Sequence, residues 1–151
     1  MTGSSKIEGS DFVNTPHLEV SQEAGRDFFM RGISGPVTML NLLRFKDIAD
    51  YSESPELGPR TPISGARAFD LYIAHTLPFL QKSGGSLDLL ADGGKWLIGP
   101  QDETWDCAML VRQANVESFM AWNSDAEYLA GIGHRTAAIS DSRLLPLVER
   151  N

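Results

Sequence analysis

The chain of 151 residues has a single cysteine, Cys107, so no disulfide can form within it and a reducing compartment suits it. It has three histidines, scattered as His17, His75 and His134. None stands in an H-x-H, HExxH or CxxC spacing, so nothing here resembles a metal site. Basic residues are in deficit. Thirteen Lys and Arg face twenty Asp and Glu, a net charge of −7 that excludes a nucleic acid partner, because phosphate backbones are held by clustered cations. No apolar run approaches the ~18 residues of a membrane span, and the opening residues carry no apolar stretch of the sort a secretory leader uses. The expectation is a cytoplasmic domain without a membrane partner. The Gly-Gly pairs at 84–85 and 93–94 lack any phosphate-loop context, and no G-x-S-x-G elbow is present. The expectation for cofactors and metals is therefore none.

What is present is an ordinary globular balance, 42% apolar and 22% charged. A chain of this length buries roughly 68–70% of its unfolded surface and needs no staple. Met1–Thr15 is small, polar and aperiodic, which predicts a flexible arm ahead of one domain over residues 16–151. Ser21 caps a predicted helix over Gln22–Arg31. Val37–Phe45 is apolar on both faces, as a central strand would be. Residues 46–64 carry four acids and three prolines without period; a lid, an arm to a partner or a disordered insertion each accounts for them.

Ser64 then caps a long helix ending at Gly84-Gly85, with Ala66, Phe69, Ile73, Leu77 and Leu80 as one stripe. Ala68, Tyr72, His75 and Phe79 fall on the opposite side, so the first helix, the long loop or another subunit must cover that second face. Pro78 predicts a kink near Ala74–Pro78. A strand over Ser86–Ala91, a reversal at Asp92-Gly-Gly94 and a short return over Lys95–Gly99 follow. Trp105–Arg112 is another strand, with Trp105, Cys107, Met109 and Val111 on one face and Cys107 an inert core thiol. Asn115 caps a helix, Ser124-Asp-Ala-Glu127 reads as a capping box that restarts it, and Gly131 and Gly133 end the second piece. Leu144–Val148, with Pro146, closes as an edge strand.

The order is β-α-β-β-α-β behind an extra N-terminal helix, the pattern of an α+β ferredoxin-like plait with an antiparallel sheet. Two helices cover one sheet face. An apolar strand on the other face predicts a homodimer whose sheets pack face to face, a dimeric α+β barrel.

Three segments carry a family resemblance: Gly35-Pro-Val-Thr-Met-Leu-Asn-Leu-Leu-Arg-Phe45, His75-Thr-Leu-Pro-Phe79 and Gly133-His-Arg-Thr-Ala-Ala-Ile-Ser-Asp-Ser-Arg-Leu-Leu-Pro146. Together they resemble the DUF1330 family of uncharacterised proteins, within the dimeric α+β barrel superfamily. The resemblance implies a plait and a homodimer. It implies no assigned activity, since relatives across the superfamily range from cofactor-independent monooxygenases to isomerases.

Seven residues are candidates for chemistry. Asn41 sits on an apolar strand face, where a buried amide needs a partner, so it is a candidate catalytic or ligand-bonding group. His134 follows a glycine helix end and is a candidate proton carrier. Tyr72 and His75 share the second face of the long helix, Trp105 (with Trp96) would wall a pocket for a planar ligand, and Arg44 and Arg135 are candidates for an anion clamp. Each has a structural alternative: Asn41 bonding backbone, His134 as a cap, His75 and the tryptophans as packing, and the arginines pairing locally with acids such as Asp141. Two functions stand side by side. One is a small-molecule-binding barrel acting as a cofactor-independent oxygenase or isomerase. The other is a non-catalytic ligand-binding or assembly module. A cavity that joins Asn41 to a histidine with a shifted pKa would favour the enzyme.

Overall fold

The computed structural model describes residues 15–151. The predicted arm therefore lies outside the described residues except for Thr15. Helix α1 (Gln22–Met30) begins at Ser21, whose hydroxyl accepts from Ala24 N. It buries no residue, and its Phe28 lies edge-on to Phe119 at 6.0 Å between centroids.

Strand β1 (Val37–Phe45) occupies the predicted residues. With β2 (Ser86–Lys95), β3 (Thr104–Gln113) and β4 (Ile139–Leu147) it forms a four-stranded antiparallel sheet in the order β2-β3-β1-β4. Placed between these strands, helix α2 (Gly65–Lys82) and the helical run α3 (Val116–Ala121), α4 (Ala126–Leu129) and α5 (Ile132–Ala138) complete the ferredoxin-like plait. The core gathers Leu43, Phe69, Cys107, Met109 and Ile139 between sheet and helices. Burial pushes the Cys107 thiol up to about 11, with Asp92 adding to the effect, which leaves it unreactive.

The other sheet face is open. Strand register places Leu89, Leu110, Leu40 and Leu145 in one row across all four strands. Leu89 and Leu145 are 45% and 54% exposed, well above what a finished core shows.

Several local expectations are corrected. The buried line of α2 runs through Gly65, Ala68, Phe69, Thr76 and Leu80, and Ala66 is exposed. Gly65 sets this rotation. A Cβ there would sit 2.2 Å from Lys46 O, so the helix start can lie directly on the end of β1. The aromatic second face of α2 is covered by the chain's own α4–α5 segment. Nε2 of His75 donates to the carbonyls of Glu127 and Tyr128 (2.9 and 3.2 Å), and Gly131 leaves room for its ring, 2.2 Å from where a Cβ would be. The residues 92–94 are not a reversal. Strand β2 runs through them because Gly93 lets the Trp105 carbonyl approach to 2.4 Å of its missing Cβ, and the turn comes after Lys95. Asp125, rather than Ser124, caps α4, accepting from Glu127 N and Tyr128 N. Gly133 lies inside α5, where its bareness admits Ser54 and Leu57. Residues 46–64 fold onto α5: Asp50 N donates to Ala137 O, Ala49 N to Ile63 O, and Ala49, Tyr51 and Ile63 join the core.

Candidate functional site

A cavity of about 420 Å³ lies inside one chain, between the sheet and the helices. Its floor is the inward face of β1 and β3, where alternation turns Met39, Asn41, Met109, Val111 and Gln113 the same way. One wall is α2, whose Tyr72, Ile73, Thr76 and Leu80 follow at helical spacing. The other wall is Phe119, Trp122, Tyr128 and Ile132 from the α3–α5 run, and Leu18–Val20 borders it from the N-terminal side. The size matches sites for modest organic molecules.

Most of the lining is apolar, and the buried polar exceptions are neutral. Gln113 is 2% exposed and its Oε1 has no hydrogen-bond partner among the described residues. Thr76 is 8% exposed and its Oγ1 is likewise unpartnered. Leaving a buried polar group unpaired costs about 1–3 kcal/mol, so two in one cavity is a marked departure from a packed core. The hydroxyls of Tyr72 and Tyr128 lie 2.8 Å apart. Whichever donates, the other keeps its own hydrogen unclaimed. Burial raises the Tyr128 phenol well above its usual value, helped by Tyr72, so Tyr128 stays protonated. Asn41 Nδ2 donates to Met39 O at 3.2 Å, two residues back on its own strand. The charged residues bordering the cavity are Glu19, which is exposed, and Arg135, whose Nη1 donates to Leu18 O at 2.9 Å.

Of the seven residues singled out in the sequence, the cavity brings together Asn41, Tyr72 and Arg135. The other four lie elsewhere. His75 ties α2 to the end of α4 as described above. His134 Nδ1 is hydrogen-bonded to the Tyr51 hydroxyl at 2.8 Å, under residues 46–64, and burial followed by the neighbouring His75 holds it below the ordinary histidine value. Arg44 and Trp105 belong to a cluster at the far end of β1. There Arg44 Nε and Nη2 donate to Thr104 O, and the guanidiniums of Arg44 and Arg143 lie 4.9 and 5.0 Å from the Trp105 ring centre. Asp141 joins them: its Oδ1 accepts from His17 N, Ser142 N and Arg143 Nη1, and its Oδ2 lies 3.6 Å from Arg44. Burial alone would raise this carboxyl; the His17 N–H, Arg143 and Ser142 N–H outweigh it and hold it below the usual carboxylate range.

Sequence reasoning missed Gln113, Thr76, Tyr128 and Trp122. A polar residue continuing an inward strand parity, as Gln113 does after Cys107, Met109 and Val111, was the signal available. Among the described residues no group of three or more His, Cys, Asp and Glu is gathered for a metal, and no helix is long and apolar enough to cross a membrane.

No protein-family model matches the chain, and no curated protein matches it. Solved structures do. The methylated RPA0582 protein is 31% identical over 91% of this chain and 97% of its own, with a TM-score of 0.79. RPA0582 from Rhodopseudomonas palustris, a protein of unknown function and a structural genomics target, is 31% identical over 91% and 99%, with a TM-score of 0.78. A dabb family protein with a ferredoxin-like fold from Mesorhizobium loti is 7% identical over 78% and 100%, with a TM-score of 0.44. At 31% identity across nearly the whole of both chains, this protein belongs to the family of RPA0582.

Proposed function

We propose that the protein is a homodimeric small-molecule-binding module in which each chain carries its own ligand cavity. The observation that carries the reading is the 420 Å³ chamber with two buried, unpartnered polar side chains, Gln113 and Thr76, in its lining. Asn41, Tyr72 and Arg135 are its ligand-facing residues among those expected from sequence. The non-catalytic reading is favoured over the oxygenase or isomerase because no histidine reaches the cavity. His134, whose pKa burial lowers, is engaged by Tyr51 outside it. The DUF1330 assignment rests on the three segments that carry the resemblance.

The dimer follows from the open face. A row of four leucines spanning the sheet is an apolar patch that a monomer seldom leaves in water, and a two-fold copy covers it with the same row. Light scattering of the wild type is expected to give about twice the 16.5 kDa chain mass. Replacing Leu40 and Leu145 together by Asp is expected to give a single-chain mass while Nile red, a neutral probe, still enters the cavity with a blue-shifted emission. Filling the cavity with Ile73→Trp should do the reverse, keeping the dimer and losing the dye. A wild-type monomer contradicts the dimer, and dye binding indifferent to Ile73→Trp contradicts the cavity.

A further inference from the structure

The polar groups of the cavity have a pattern that specifies the head group of its ligand. Gln113 Oε1 can only accept a hydrogen bond, and it is buried with no donor in reach among the described residues. Thr76 Oγ1 can accept or donate, and it too is unengaged. The Tyr72–Tyr128 pair, with the two hydroxyls 2.8 Å apart, leaves one phenolic hydrogen free. All are uncharged. Tyr72, Thr76 and Leu80 lie along one face of α2 at steps of four, so the two α2 polar groups are neighbours one turn apart. Gln113 ends β3 opposite Val37, while Asn41 pairs with Met109 four residues back. The amide of Gln113 is therefore about 13 Å along the sheet from that of Asn41. Between them lie only apolar floor residues, Met39, Met109 and Val111.

We infer that the ligand is an uncharged, largely apolar organic molecule whose head group is a hydrogen-bond donor (a hydroxyl or an amide N–H) seated against Gln113 and Thr76. The inference rests on the ligand-binding reading above and sharpens it. An anionic head is disfavoured on the same observations. Arg135, the one cationic side chain bordering the cavity among the described residues, already donates to the Leu18 carbonyl, and a carboxylate would face the bare oxygen of Gln113. Burying a charge beside neutral groups without a counter-ion is expensive. A fully apolar ligand is disfavoured as well, because it would seal Gln113 and Thr76 away from any partner.

Three probes with one apolar body separate these cases: 4-hydroxybiphenyl, biphenyl and biphenyl-4-carboxylate, titrated calorimetrically into the intact protein at pH 7.5. The expected order is hydroxyl, then hydrocarbon, then carboxylate, with the hydroxyl favoured about tenfold or more over biphenyl, the range one buried hydrogen bond supplies. Gln113→Leu is expected to bring that preference to within about twofold while biphenyl binds at least as well as before. Thr76→Val, nearly isosteric, should weaken the hydroxyl probe in the same direction and keeps the test valid if Gln113→Leu does not fold. Tightest binding of the carboxylate, or equal binding of phenol and hydrocarbon, overturns the head-group assignment and leaves the cavity reading standing. Binding of none of the three overturns both.

Discussion

Two polar clusters are built on the same strands and treated in opposite ways. At the far end of β1, Asp141 gathers two backbone N–H groups and two guanidiniums, and those guanidiniums stack against Trp105. At the cavity end, Gln113 and Thr76 are at least as well buried and have no partner. The first cluster pairs all its charged groups and fastens the N-terminal segment at His17 to strand β4, with the buried Trp105 Nε1 left without a partner among the described residues. The second is incomplete within the chain. Charged groups that find one another make the first cluster scaffold, and the unpaired atoms of Gln113 and Thr76 differ from Trp105 Nε1 in belonging to residues that line a ligand-sized cavity.

The comparison can be broken most severely at Phe69, which belongs to both the core and the cavity wall. Phe69→Ala is expected to lower stability by about 3–5 kcal/mol in urea titration, because the void it leaves joins the existing one. Asp141→Ala should cost about 2–3 kcal/mol by the same measurement, since it strands Arg44, Arg143 and the His17 N–H at once. Its pH dependence has a fixed sign. The folded carboxyl titrates below its ordinary value, so its contribution is present above about pH 4 and disappears as pH falls through the folded value. The deficit of Asp141→Asn relative to wild type should therefore shrink in acid.

Gln113→Leu is expected to behave in the opposite sense to Asp141→Ala. It removes an unpaired buried amide oxygen and should leave the ligand-free protein unchanged or raise its stability by up to about 1 kcal/mol. Loss of several kcal/mol would place Gln113 with the scaffold and erase the contrast. The smallest effect concerns His134. Its folded pKa is lowered, so the neutral ring is the one the fold favours, and stability should decline slightly as pH drops from about 6.5 toward 5. His134→Gln should flatten that slope in a thermal-melt series.

The fold was largely legible because its signals are local. Val37–Phe45, the caps at Ser21, Ser64 and Asn115, and the order of elements could all be read from neighbours in sequence. The misreading at Asp92–Gly94 has a physical source. Glycines are read as turns when their freedom of φ is the reason for them, whereas Gly93 is needed to let Trp105 O come close, a contact made across strands. The site was legible in part. Asn41 stood out as a polar group on an apolar strand face, and Tyr72 as an aromatic ring on the second face of the long helix. Gln113 and Thr76 did not, because their importance is the absence of a partner, and an absence depends on everything folded around them. The histidines attracted attention through their chemistry, yet His75 is spent on the carbonyls of α4 and His134 on Tyr51.

Three tryptophans make the decisive measurement available. Trp122 lines the cavity, Trp105 sits in the charge-paired cluster, and Trp96 lies beyond the end of β2, bonded to Glu103. Titrating 4-hydroxybiphenyl into ¹⁵N-labelled protein and following the three indole N–H resonances reports the place of binding directly. The account predicts that Trp122 moves in a saturable way while Trp105 and Trp96 stay where they are. Movement of Trp105 with Trp122 unchanged would put the ligand at the other cluster and contradict it.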